Sequence, residues 1–202
     1  MADGIHYTSL ERSEDGNAVV KYAYATGQAV DTLAKSSVVY GDGETRIAGY
    51  QFSADEKKML VSSNQEPIYR HSYTADYHVY ELGSAKGGNP LRQDGSPMRL
   101  ATFSPAGDKV AYVMDNNLHV VNLGAQGRDV QLTADGKWNE VINGASDWVY
   151  EEEFGTYDSY KWSPNSKFIA FIREDQTFVK KYPLVDYGSK YPVVKYIRYP
   201  KT

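Results

Sequence analysis

Phe103-Ser104-Pro105-Ala106-Gly107-Asp108-Lys109-Val110-Ala111-Tyr112 decides the fold, because the chain writes the same phrase twice more. Phe52-Ser53-Ala54-Asp55-Glu56-Lys57-Lys58-Met59-Leu60-Val61 precedes it, and Trp162-Ser163-Pro164-Asn165-Ser166-Lys167-Phe168-Ile169-Ala170-Phe171 follows it. In each copy an aromatic residue closes one strand, Ser and a polar turn follow, and Lys leads into a strongly apolar strand. Proline at the second turn position presets φ, and Asn, Asp, Gly or Ser completes the turn. Ser53 to Ser104 spans 51 positions and Ser104 to Ser163 spans 59, close to the spacing of four-stranded propeller blades with insertions. A two-sheet sandwich also supplies alternating strands, but it gives no reason to repeat one turn at this period.

Working outward, Tyr77–Leu82 and Asn117–Leu123 alternate apolar with polar and each ends at a Gly, which makes them third strands. Leu91 before Asp94-Gly95 and Val130-Gln131-Leu132 before Asp135-Gly136 read as short outer strands. Ile5–Arg12, the turn Asp15-Gly16 and Ala18–Tyr24 form a hairpin. No helical periodicity runs beyond two turns. The expected class is therefore all-β, a partial propeller of four-stranded antiparallel blades with approximate boundaries 1–46, 47–96, 97–146 and 147–202. About three and a half units are visible, whereas propellers close with roughly four to eight blades. The stretch Tyr191–Thr202 stops in mid-pattern, so the expectation is a segment of a larger ring with exposed edges prone to strand pairing.

The composition of the 202 residues supports strands and tight turns, with 18 Tyr, 17 Gly and 8 Pro. It excludes several functions. The 22 Lys+Arg against 26 Asp+Glu leave a net charge of −4 and no basic block for nucleic acid. Mean hydropathy is −0.57, and the longest apolar runs fall far short of the roughly 20 residues that span a bilayer. Cysteine is absent, which removes disulfides, thiolate nucleophiles and Cys-based metal sites. No basic-then-apolar leader opens the chain. No cofactor or metal is expected.

Two segments break the repeat, and insertions of this kind usually carry binding. The first is Glu66–Tyr77, which concentrates Tyr with Arg70 and His71. The second is Asn143–Gly155, where Glu151, Glu152 and Glu153 are consecutive among Trp148, Tyr150 and Phe154. One reading is a helical turn capped by Asp147 or Ser146, its acids complementing the helix dipole. The other is an amine site, in which two carboxylates meet one ammonium and aromatics exclude water. Arg70 likewise reads either as a structural arginine stacked on Tyr69 or Tyr73, or as a donor to a ligand carbonyl. His6, His71, His78 and His119 fall on strands or turns and read as surface or packing residues.

Together the two segments resemble the dipeptidyl peptidase IV family of serine exopeptidases. Asp147-Trp148-Val149-Tyr150-Glu151-Glu152-Glu153 is similar to the family's double-glutamate motif, and Arg70-His71-Ser72-Tyr73-Thr74-Ala75-Asp76-Tyr77 is similar to its arginine segment. The resemblance runs from about Tyr50 to Thr202. It implies half of an eight-bladed propeller, followed in the parent by an α/β-hydrolase domain that this chain lacks. It also implies release of N-terminal dipeptides with Pro or Ala at the penultimate position. Glu152 and Glu153 then hold the substrate ammonium and Arg70 the backbone carbonyl. Glu151, Tyr150, Trp148 and Asp147 support the motif.

The expected partners are peptides with a free N-terminus, the missing hydrolase domain, and a second copy in a homodimer. The Tyr- and Pro-rich stretch Tyr182–Tyr199 stands where family members carry a dimer hairpin. A periplasmic or extracellular parent is implied. The chain has no Gly-x-Ser-x-Gly nucleophile elbow, so no catalytic residue is expected within it. The alternatives are a non-catalytic propeller that binds peptides or proteins, and a generic scaffold propeller, which leaves the acidic triplet unexplained.

Overall fold

Met59, Leu60 and Val61 are consecutive and all buried, which a strand with one solvated face would not allow. Successive side chains on a strand point to opposite faces. Leu60 accordingly joins a cluster with Tyr77, Met98, Phe103 and Tyr112, while Met59 and Val61 join another with Val19, Ala34 and Ile47. Val110-Ala111-Tyr112-Val113 divides in the same way. Val110 and Tyr112 enter the first cluster, and Ala111 and Val113 enter a third with Leu118, Ile142 and Tyr160. Each central sheet is thus packed on both faces by its neighbours, which is how propeller blades stack. Full burial of each such Val, Leu or Met contributes about 1.5–3 kcal/mol.

The computed structural model describes residues 1–14, 16–124 and 128–199. In chain order, β1 (His6–Ser13), β2 (Gly16–Ala23) and β3 (Ala29–Lys35) form a three-stranded antiparallel sheet, followed by the short helix α1 (Ser36–Tyr40). Next, β4 (Gly49–Phe52), β5 (Lys58–Pro67), β6 (Tyr73–Glu81) and β7 (Asn89–Pro90) form a four-stranded meander. A second meander contains β8 (Arg99–Phe103), β9 (Lys109–Met114), β10 (Asn117–Asn122) and β11 (Asp129–Gln131). Then come β12 (Val141–Asn143), helix α2 (Trp148–Phe154), β13 (Tyr160–Trp162), β14 (Ile169–Phe171) and β15 (Arg173–Asp175). β12 pairs with β15 around the β13–β14 hairpin. The hairpin of β16 (Lys181–Asp186) and β17 (Val193–Arg198) closes the described chain.

The all-β partial propeller expected from the repeat is what the structure shows. It adds four elements that the sequence left unread, β3, α1, β12 and β15. β3 is mostly exposed and bulged against β2, so it carries little apolar periodicity. Of the first hairpin's turn, Asp15 lies outside the described residues, as do Pro200–Thr202 of the chain's last stretch. Among the described residues no helix is long and apolar enough to cross a membrane.

The repeated turns are one structure built three times. Ser53, Ser104 and Ser163 each close the hairpin with a backbone N–H donated to the carbonyl of Lys58, Lys109 or Phe168 at 2.8–2.9 Å. Their hydroxyls accept the N–H of those same residues at 2.9–3.1 Å and donate to Asp55, Asp108 and Asn165. The fourth turn residue is left-handed in every copy, with φ of 52° at Glu56, 67° at Gly107 and 58° at Ser166. The turns also touch one another, since Lys58 Nζ donates to the Gly107 carbonyl at 3.0 Å and Ala106 N–H to Ser166 Oγ at 2.8 Å.

A Cβ on Gly107 would meet Ser53 Cβ at an ordinary 3.5 Å, so only backbone strain opposes it. Gly107→Ala is therefore expected to destabilise the chain by about 1 kcal/mol, read as a lower urea midpoint at unchanged slope.

Candidate functional site

β5 runs about 30 Å from its opening turn, at 3.3 Å per residue, and delivers the segment 68–72 to the opposite end of the blade. There Ile68 and Tyr69 N–H both donate to the Ser72 carbonyl, curling the chain so that Arg70 projects from its apex, largely exposed. Helix α2 meets this curl. Asp147 caps it by accepting the Tyr150 N–H at 2.8 Å, and Gly155, left-handed at φ 63°, ends it. The Gly155 and Thr156 N–H groups return to the Glu151 and Tyr150 carbonyls. Capping by Asp147 is thus part of the structure, with only Glu151 of the three acids in the first turn.

A helix turns its side chains by about 100° per residue, so three consecutive glutamates cannot face one target. Glu151 points inward and is 1% exposed. Its Oε1 accepts the backbone N–H of His71 at 2.5 Å and of Ser72 at 2.9 Å, which ties α2 to the arginine segment 80 positions earlier. Glu152, half-buried, faces Arg70, with Oε2 3.2 Å from a guanidinium nitrogen. Glu153 is exposed and holds no ion pair among the described residues. Trp148 packs its ring on Tyr199 at 5.5 Å, and Tyr150 packs on Phe154 at the same distance.

The structure therefore brings Arg70 to Glu152, a partner that neither sequence reading of the arginine named. His71 is held by its backbone N–H, while its ring stacks on Tyr157 at 6.4 Å. Sequence reasoning also missed a buried charged layer beneath α2. Arg99 is 7% exposed and donates to Asn116 Oδ1 at 2.7 Å; burial pulls its guanidinium below the usual range, opposed by the fields of Tyr69, Glu151 and Glu174. Beside the curl lies a cleft of about 340 Å³, lined by His71, Ser72, Tyr77, Tyr157 and Tyr160. Among the described residues no three His, Asp or Glu side chains cluster as a cation site.

A family model described as the dipeptidyl peptidase IV (DPP IV) N-terminal region matches residues 53–202, nearly three quarters of the chain. The chain belongs to this family. A probable dipeptidyl-aminopeptidase B of Phaeosphaeria nodorum is 38% identical over 164 residues, covering 74% of this chain and 18% of that protein. Human prolyl endopeptidase FAP is 33% identical over 196 residues, covering 95% of the chain and 25% of its own length. The crystal structure of Porphyromonas gingivalis dipeptidyl peptidase 4 superposes with a TM-score of 0.87 at 38% identity, over 100% of this chain and 28% of that one. The chain thus spans about a fifth to a quarter of the curated relatives it matches. As a DPP IV propeller region it has its repeat and both insertions inside the matched residues, apart from the opening aromatic Phe52.

Proposed function

We propose that this chain is the substrate-anchoring propeller segment of a serine exopeptidase that releases N-terminal dipeptides, with Pro or Ala preferred at the penultimate position. The Arg70–Glu152 pair carries the reading, because it sets a cation and an acid from distant segments side by side. Glu152 keeps Oε1 for a ligand while Oε2 faces Arg70, and Glu153 stands one position along the helix. A peptide's terminal ammonium has three N–H donors, which the two carboxylates can accept with charge assistance. Arg70 then donates to the first peptide carbonyl. An ammonium fixed at this wall holds the scissile bond two residues away, and a longer N-terminal extension meets the wall instead.

The nucleophile and its partners would come from an α/β-hydrolase domain outside these residues. Exposed Phe168, Phe171 and Ile172 on and around β14 suit a ring continued by further sheets. The same reading places the parent in the periplasm or outside the cell, as a homodimer using the β16–β17 hairpin.

The test is hydrolysis of a Gly-Pro amide by the full-length protein. Cleavage of the free-amine substrate is expected, with no cleavage of its N-acetylated form, which lacks the ammonium. Equal turnover of both would overturn the anchoring role, and no turnover of either would favour a peptide-binding propeller. The 202-residue chain alone is expected to turn over neither.

A further inference from the structure

Helix α2 has seven residues, too few to hold its own direction, so whatever fixes its N-cap decides where its acids point. Asp147 is 6% exposed and is gripped by one residue of β15 and one just past it. Its N–H donates to Glu174 Oε2 at 3.2 Å, and its carboxylate accepts from both Gln176 Nε2 and the Tyr150 N–H. Glu174 and Gln176 are themselves buried. β15 is in turn fixed by its ladder to β12, where Ile142 pairs with Glu174, and Gln176 N–H donates to the Glu140 carbonyl at 2.7 Å.

We propose that Glu174 and Gln176 are positioning residues that clamp the N-cap of α2 and thereby set the direction in which Glu152 and Glu153 are presented. The inference rests on the anchoring role above only for its consequence on substrate. A glutamate in Arg173-Glu174-Asp175-Gln176 would ordinarily be a solvated turn residue. Here its Oε1 is buried with no hydrogen-bond partner among the described residues, a cost that an incidental side chain would avoid by turning outward.

The charges facing Glu174 are Asp147 at the α2 cap and Arg99 on β8, and Arg99 also faces Glu151 and Tyr69. Its strand neighbours pair elsewhere, Arg173 with Asp135 and Asp175. Burial, then the charge of Asp147, pushes the Glu174 carboxyl up to about 7. Between the ordinary 4.5 and about 7 the folded state holds a proton that the unfolded chain has released, so the stabilisation is full below 4.5 and lost as pH rises to 7. Above it two anions meet at the cap, and the clamp loosens.

The experiment compares wild type, Glu174→Ala, Glu174→Gln and Gln176→Met in the full-length protein. It reads hydrogen exchange of the 148–156 amides, corrected for intrinsic chemistry, together with kcat and KM on a Gly-Pro amide. Glu174→Ala and Gln176→Met are expected to speed exchange in α2 and raise KM by about 10-fold with kcat little changed, as a misdirected anchor would. Glu174→Gln keeps an oxygen for the Asp147 N–H and is expected to restore both at pH 6. It should also abolish the rise in α2 exchange expected of wild type between pH 6 and 8. Unchanged exchange in the folded Ala and Met variants, or a wild-type exchange profile that Gln leaves intact, overturns the clamp. Faster exchange with unchanged KM upholds the clamp on α2 and overturns instead the anchoring by Glu152 and Glu153. Should Glu174→Ala fail to fold, Gln176→Met and Glu174→Gln decide alone, since Gln176→Met leaves the Asp147 carboxylate its Tyr150 N–H donor and Glu174→Gln removes a buried charge.

Discussion

Glu152→Gln in the full-length peptidase is expected to lower kcat/KM for a Gly-Pro amide by about 10²-fold or more, the scale of removing one partner from a desolvated charge pair. The amide keeps the shape and loses the charge that matches the ammonium. Glu152 also faces Arg70, so its neutralisation frees the guanidinium that is to meet the substrate carbonyl. Glu153→Gln removes ammonium pairing alone and should cost less, about 10–10²-fold. A double-mutant cycle separates the two roles. Arg70→Ala should be strongly non-additive with Glu152→Gln and nearly additive with Glu153→Gln, because only the first pair is in contact. Wild-type kcat/KM in either correctly folded glutamine variant would end the assignment of that glutamate.

Why the turns could be read in the sequence and the site only in part follows from the range of the contacts involved. Each turn is closed by a serine bonding to a residue five positions on, so its information is local and repeats with its sequence. The continuous apolar runs at Met59–Val61 and Val110–Val113 likewise announce strands buried on both faces. The residue types of the site were legible for the same reason, as an acidic triplet and an arginine among aromatics. Their division of labour came only from the family resemblance, not from the residues themselves. Nothing local says which of three adjacent glutamates turns inward, because helix rotation is set by contacts 80 positions away. The β12–β15 pair is three residues per strand, too short for a period, and Glu174 looks like a surface acid until the ladder buries it.

The inward glutamate carries the largest structural effect. Glu151→Leu preserves volume and removes the acceptor of the His71 and Ser72 N–H groups, both lying against a side chain closed to water. Each buried N–H left without a partner costs about 1–3 kcal/mol. Arg99 also loses one of the anions that offset its burial, so the total expected destabilisation is about 3–5 kcal/mol, measured by urea unfolding of the chain at pH 7. Glu151→Gln keeps an oxygen for both N–H groups and forfeits the charge assistance and the same anion near Arg99, so it should cost about 1–2 kcal/mol. The ordering carries the mechanism, because burial alone would favour the apolar leucine over glutamine. If leucine is tolerated as well as glutamine, the two bonds do not brace the Arg70 curl. If leucine is the worse by about 2 kcal/mol, the first acid of the triplet holds the arginine segment in place and leaves the next two free to meet a ligand.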